Sequence, residues 1–119
     1  MALYNETTDE IICDSITYAD TFLSQARGRM FTQSISKDTA LVFPNLTSNI
    51  FTNEVGIWMM FVPYDLGVLW ISDGTVTDRK VLSAWTGRHS SEGDMIIELH
   101  PETISKVSIG DEIEVGKKL

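Results

Sequence analysis

The sequence predicts a mainly β domain of α+β class, an antiparallel, jelly-roll-like sandwich or barrel carrying two short helices. Three observations predict it. Short β-rich runs separated by turn residues recur along the chain, as in the segments around Glu10 to Ile16, Thr39 to Phe43 and Asp94 to Leu99. Asp73-Gly74 falls between two further β-rich runs, and such a pair favours a tight hairpin because Gly readily adopts positive φ. Only two segments show helical spacing and capping, too few to cover a parallel sheet. At 119 residues, the chain 1–119 forms a single domain able to bury one core without disulfide or metal support.

The run Gly56-Ile-Trp-Met-Met-Phe-Val-Pro-Tyr-Asp-Leu-Gly-Val-Leu-Trp70 is the most apolar part of the chain. Fifteen helical residues reach about 22 Å, short of a hydrocarbon core of about 30 Å, so a membrane span is the weakest reading of the run, behind a core segment and the wall of a binding site. Pro63 and the flanking glycines also disfavour a helix. Two strands meeting near Pro63 and Tyr64 fit better. In the first, Ile57, Met59 and Phe61 alternate with Trp58, Met60 and Val62, all apolar, which predicts a strand covered on both faces. The second, about Leu66 to Ile71, enters the Asp73-Gly74 turn and returns through Thr75 to Leu82. A strand is also predicted over Asp111 to Val115, with a short one near Leu3 and Tyr4.

The first predicted helix spans about Tyr18 to Arg27, entered from Thr17 with Asp20 three residues on, with Ala19, Phe22, Leu23 and Ala26 on one face before Gly28. The second starts at Pro101, has Glu102 near its N-terminus, and buries Ile104 and Val107 before Gly110. The stretch Thr86 to Gly93 is polar and reads as a loop.

Seventeen acidic residues against nine basic ones give a net charge of −8, and the basic residues form no stripe. Clustered cations are what phosphate backbones bind, so neither a nucleic-acid nor an anionic-membrane partner is expected. The first ten residues lack the charged and apolar regions of a signal peptide, which predicts a cytoplasmic protein. Cys13, the single cysteine, is expected to be a small buried thiol, since Asp14 beside it would raise its pKa. The Asn5 and Asn45 sequons carry no weight without secretion.

No catalytic constellation stands out. One Cys with His89 and His100 makes no metal-ligand spacing, and no metal or cofactor is expected. His89 beside Ser90 and Ser91 lacks the nucleophile elbow, and adjacent residues rarely place base and nucleophile face to face. Phosphate-cradling glycine loops are absent. Asp111, Glu112 and Glu114 read as a solvated strand end. Trp58, Trp70 and Trp85 suit the core or the wall of a pocket. Asp65 is the one charge in the apolar run, so it must be exposed, paired or hydrogen-bonded. It either accepts backbone N–H groups at the Pro63-Tyr64 corner or contacts a ligand.

Several segments together carry a family resemblance: Ala19-Asp-Thr, Ala26-Arg-Gly-Arg-Met-Phe31, Ala40-Leu-Val-Phe43, Ile57 to Asp65, Asp73-Gly-Thr-Val76, Val81-Leu-Ser-Ala-Trp85, and Ile96-Ile-Glu-Leu99 with Ile109-Gly-Asp111. Their order resembles domain-of-unknown-function family one-nine-two over about Leu3 to Val115. The resemblance implies a compact β-rich, jelly-roll-like or barrel domain without an established activity. Bacterial members of that family are secreted or anchored and archaeal ones free; this chain looks like the free kind. By resemblance, the family's P-x-D element maps onto Pro63 and Asp65, its R-G-L-M-F-R element onto Arg27 to Thr32, and its tryptophan after the hairpin onto Trp85. Arg29, Thr32, Met60 and Phe61 depart from the family pattern, so only Asp65, Trp85 and Arg27 are carried over.

These features favour a non-enzymatic module that binds a small molecule or a protein, with Asp65, Trp58, Trp85 and Arg27 as candidate ligand-binding residues. The alternative is an enzyme using Asp65 as acid or base, with Arg27 or His89 as its charge partner.

Overall fold

A computed structural model of the chain describes residues 1–18, 36–44, 46, 54–59 and 62–118. Ten strands lie among them: β1 (Ala2–Asn5), β2 (Glu10–Cys13), β3 (Ser15–Tyr18), β4 (Thr39–Phe43), β5 (Glu54–Trp58), β6 (Leu66–Ser72), β7 (Thr75–Leu82), β8 (Arg88–Glu92), β9 (Met95–Leu99) and β10 (Ile113–Lys117). They form a sheet ordered β10-β1-β2, a sheet ordered β3-β4-β9-β6-β7, and a two-stranded β5-β8 ribbon. Every pairing is antiparallel except β3 with β4, which is parallel and departs from the all-antiparallel expectation.

The two larger sheets enclose one interior. β2 and β3 are separated only by Asp14, so a single bent segment serves both sheets where one straight strand over Glu10 to Ile16 was expected. On the opposite side a bridge joins Thr75 to Glu112, and the Val76 N–H donates to the Asp111 carbonyl at 2.9 Å. Leu3, Ile12, Val42, Leu69, Ile71, Ile97, Leu99 and their neighbours fill the space between.

The centre of the larger sheet is buried on both faces. Along β6, Leu69 and Ile71 enter this interior, while Leu66, Val68 and Trp70 face a second apolar cluster with Leu41, Phe43, Val55, Met59, Val62, Leu82 and Ile96. That double coverage explains why Leu66 to Ile71 is an unbroken apolar run without alternation. The expected hairpin is present: Asp73 at φ 50° and Gly74 at φ 81° make the two positive-φ positions of a tight turn between β6 and β7.

The expected strand around Ile57 to Val62 lies earlier, at Glu54–Trp58, and only one of its faces is covered. Its Met60 and Phe61 lie outside the described residues. The segment read as a polar loop contains β8, which pairs with β5 from Glu54↔Glu92 to Trp58↔Arg88.

Of the first predicted helix only Tyr18 is described, and it ends β3; the rest lies outside the described residues. The second is a single 3-10 turn, Thr103–Lys106, rather than an α-helix. Local bonds close it early: the Glu102 N–H donates to His100 Nδ1 at 3.1 Å, Thr103 Oγ1 donates to the Lys37 carbonyl at 3.2 Å, and Val107 is already extended. Three residues per turn still aligns Ile104 with Val107, and both pack into the interior cluster.

Candidate functional site

Two strands alone are marginally stable in water, so the β5-β8 ribbon depends on what lies beneath it. Its burial alternates cleanly. Val55, Ile57, His89 and Ser91 face the sheet, whereas Glu54, Gly56, Trp58, Arg88, Ser90 and Glu92 face outward. Two polar ties supplement the apolar contact. The indole N–H of buried Trp70 donates to the Val55 carbonyl at 2.8 Å, and His89 Nε2 meets Asp78 Oδ2 at 2.7 Å. The His89 ring also stands edge-on to Trp70, with centroids 5.1 Å apart and planes at 79°. Thr77 Oγ1 adds a bond to the Glu92 carbonyl. Partial burial works to raise the Asp78 pKa, but hydrogen bonds from His89, the Arg79 N–H and Ser91, together with the His89 charge, outweigh it and hold the carboxyl below its ordinary value.

A groove of about 510 Å³ lies on this ribbon, lined among the described residues by Gly56, Ile57, Trp58, Arg88, His89 and Ser90. Trp58 and Arg88 are directly opposed across the ladder, so their outward side chains stand side by side. Trp58 is 57% exposed, a large apolar surface left in water. Next to this pair lies the rung of Gly56 and Ser90, where glycine leaves the strand surface bare. A Cβ on Gly56 would come no closer than 3.5 Å to Ser90 Cβ, so packing among the described residues does not require glycine there. Arg88 makes no ion pair among the described residues.

Trp85 occupies the adjoining turn after β7, and Asp65, just before β6, is bonded to that turn. The Trp85 N–H donates to the Val62 carbonyl at 3.0 Å, and Asp65 Oδ1 accepts the Ala84 N–H at 3.0 Å. Asp65 therefore fastens a turn nineteen residues away, not the Pro63-Tyr64 corner, and remains exposed. Gly87 closes the same turn with its N–H on the Ser83 carbonyl; an added Cβ would sit 2.7 Å from Ser83 N. Trp85 adopts φ 66°, costly for a bulky side chain, and is 56% exposed.

The predicted site residues thus divide. Trp58 lies in the groove, Trp85 lies on the turn beyond it, Asp65 lies before β6 and is bonded to that turn, and Arg27 lies outside the described residues. The carboxylate paired with His89 is Asp78, not Asp65. Among the described residues no group of three or more His, Cys, Asp or Glu could hold a metal. Nor, among them, is any helix long and apolar enough to cross a membrane.

Among the described residues, Glu98, Asp111, Asn5 and Thr103 are buried polar groups that escaped the sequence reading. Glu98 is 3% exposed on β9, opposite Leu41 and Val68 on the apolar face beneath the second cluster. Its place inside the run Met95 to Leu99 was the available signal, because a lone acid in a doubly covered strand must be buried or disrupt it. Asp111 is not a solvated strand end. It is buried, and its Oδ2 accepts bonds from Asn5 Nδ2 at 2.7 Å and the Ser108 N–H at 2.9 Å. Asn5 is fully buried in turn, so its sequon is no acceptor in the folded protein.

Cys13 is buried as expected, and burial pushes its thiol from 9.0 up to about 11, helped by Asp38 and Asp14 against the lowering effect of Lys106. Between those values the folded protein keeps a proton that the unfolded chain releases. Stability from this group is full below pH 9.0 and declines as pH rises toward about 11. Urea unfolding between those limits should show a steeper loss for wild type than for Cys13→Ala. Equal slopes would contradict the assignment.

The chain matches the model of the family Uncharacterized ACR, domain of unknown function 192, over residues 4–115, and so belongs to that family. None of the curated proteins matches it. Two solved structures are similar in fold. One is of a protein from Sinorhizobium meliloti provisionally described as a transcription regulator, with 22% identity, TM-score 0.75, and coverage of 95% of this chain and 89% of that one. The other, a protein of unknown function from Novosphingobium aromaticivorans, has 16% identity, TM-score 0.73, and coverage of 96% and 82%.

Proposed function

We propose that this member of the Uncharacterized ACR family is a non-enzymatic binding module whose recognition surface is the groove on the β5-β8 ribbon. One observation carries the reading: an exposed tryptophan stands beside an arginine, next to a bare glycine, in a concavity of about 510 Å³, on a strand that could accommodate a side chain at that glycine. Aromatic walls with a few convergent polar groups are the usual composition of small-molecule sites. The exposed indole offers apolar area whose burial would favour a ligand by about 25 cal/mol per Å². Trp85, exposed on the neighbouring turn, and Asp65, bonded to that turn, are the further candidates beside this surface.

The acid–base alternative finds its best support in His89 and Asp78, but that pair ties the ribbon to the sheet and its imidazole rests on Trp70. The reading includes a cytoplasmic location and no nucleic-acid or membrane partner, in keeping with a net charge of −8 and dispersed basic residues. The description of the Sinorhizobium protein as a regulator is therefore not extended to DNA binding by this chain.

A thermal-shift screen of wild type beside Trp58→Ala tests the proposal. The substitution should change the melting temperature by no more than about 3 °C, as for other exposed positions. It should also abolish the stabilisation given by any ligand that raises wild-type stability. Ligands that stabilise both proteins equally would refute the placement.

A further inference from the structure

We infer that the groove takes an organic monocarboxylate bearing a flat apolar ring, with the ring on Trp58 and the carboxylate on Arg88. This rests on reading the groove as the binding site and names the chemistry it would select. Trp58 presents an exposed indole, which favours a flat partner over a branched one. Gly56, one rung along on the same outward face, leaves room for a ring extending beyond the indole. Arg88 is exposed, directly opposite Trp58, and without an ion pair among the described residues. Its planar fork matches a carboxylate through two parallel hydrogen bonds, a geometry that lysine would not supply.

The opposite end of the same face fixes the polarity. Glu92 is exposed at that end, across the ladder from Glu54, whose carboxylate accepts a bond from Ser90 Oγ at 3.2 Å. These two carboxylates stand four residues along the strand from the Trp58–Arg88 rung, about 13 Å away. A second negative charge on the ligand would be repelled there by Glu92, whereas a neutral or cationic end would not. The acid group therefore points toward Arg88, and dicarboxylates are disfavoured. The net charge of −8 opposes anions at long range, but screening over about 8 Å at physiological salt leaves the local arginine dominant.

The test compares 2-naphthoate, 2-naphthamide and 2-naphthylmethylamine at pH 7, read by two-dimensional NMR of backbone amides and indole N–H groups. Wild type should bind the acid about tenfold more tightly than the amide, and the Trp58 indole should be among the most shifted signals. Arg88→Gln should bring acid and amide to equal affinity. Gly56→Val should remove binding of both while keeping the amide dispersion of a folded protein. Equal wild-type affinity for acid and amide, or an acid preference that survives in Arg88→Gln, would overturn the carboxylate assignment and leave the groove standing. No Trp58 shift with any of the three probes would overturn the ligand class. Shifts undiminished in Gly56→Val would overturn the groove itself.

Discussion

Replacing Trp70 with Ala should lower stability by about 3–5 kcal/mol, a large part of the 5–15 kcal/mol typical of a whole domain. Trp70 has no exposed surface and is the largest fully buried side chain. It sits at the junction of two layers: its ring packs in the second apolar cluster and stands nearly perpendicular to the His89 ring, and its N–H holds the Val55 carbonyl. Truncation opens a cavity and leaves that carbonyl without its donor, which together should reduce the melting temperature by about 10–25 °C. Trp70→Phe separates the two effects, because it keeps most of the ring and loses only the N–H, for about 1–3 kcal/mol. Since two of the three polar ties to the ribbon pass through Trp70 or the imidazole set edge-to-face with it, amide exchange in β5 and β8 should accelerate more than in β9. Uniform acceleration would show that the ribbon is held in some other way.

Asp111→Ala should cost about 2–4 kcal/mol, measured by urea unfolding. Its Oδ2 is the acceptor for both Asn5 Nδ2 and the Ser108 N–H, and Asn5 Oδ1 in turn accepts from the Thr7 and Thr8 N–H groups at 3.0 and 3.2 Å. Removing the carboxylate strands donors in a site where Asn5 has no exposure and water cannot replace it. The network joins the β1-β2 turn to the segment before β10, so its loss loosens the seam between the two sheets. Asp111→Asn keeps one acceptor oxygen and should lose less than half as much. A loss below 0.5 kcal/mol in Asp111→Ala, the size of an ordinary surface change, would mean that the site is solvated after all.

Much of the fold was legible because its strands obey simple patterns. The Asp73-Gly74 turn announces its hairpin through backbone geometry, and Thr39 to Phe43 and Leu66 to Ile71 are apolar enough to require burial. β8 was illegible for the converse reason: Arg-His-Ser-Ser-Glu has no apolar stripe, since its inward residues are held by a carboxylate and an indole edge instead of by packing. Nor could the sequence distinguish Trp58 from Trp70. Both sit in apolar runs, and only the register of a ribbon whose second strand went unseen turns one indole outward and the other inward. Asp111 looked solvated because two acids follow close behind it; its burial depends on Asn5, more than a hundred residues earlier in the chain.

The candidate site was legible in part. Trp58 was named from its apolar run, while Arg88 and Gly56 join it only through the β5-β8 pairing. Asp65, the conspicuous charge in the sequence, has an evident structural task in fastening the Ala84 turn. The central claim, that Gly56 is bare to admit a ligand and not to permit the fold, is tested most directly by thermal melts of wild type and Gly56→Val with and without 2-naphthoate. Valine suits a strand better than glycine, and its Cβ meets no obstacle among the described residues, so the unliganded variant should melt at or above the wild-type temperature and gain nothing from the ligand. A variant that melts well below wild type, or that is stabilised by the ligand as much as wild type, would contradict the account.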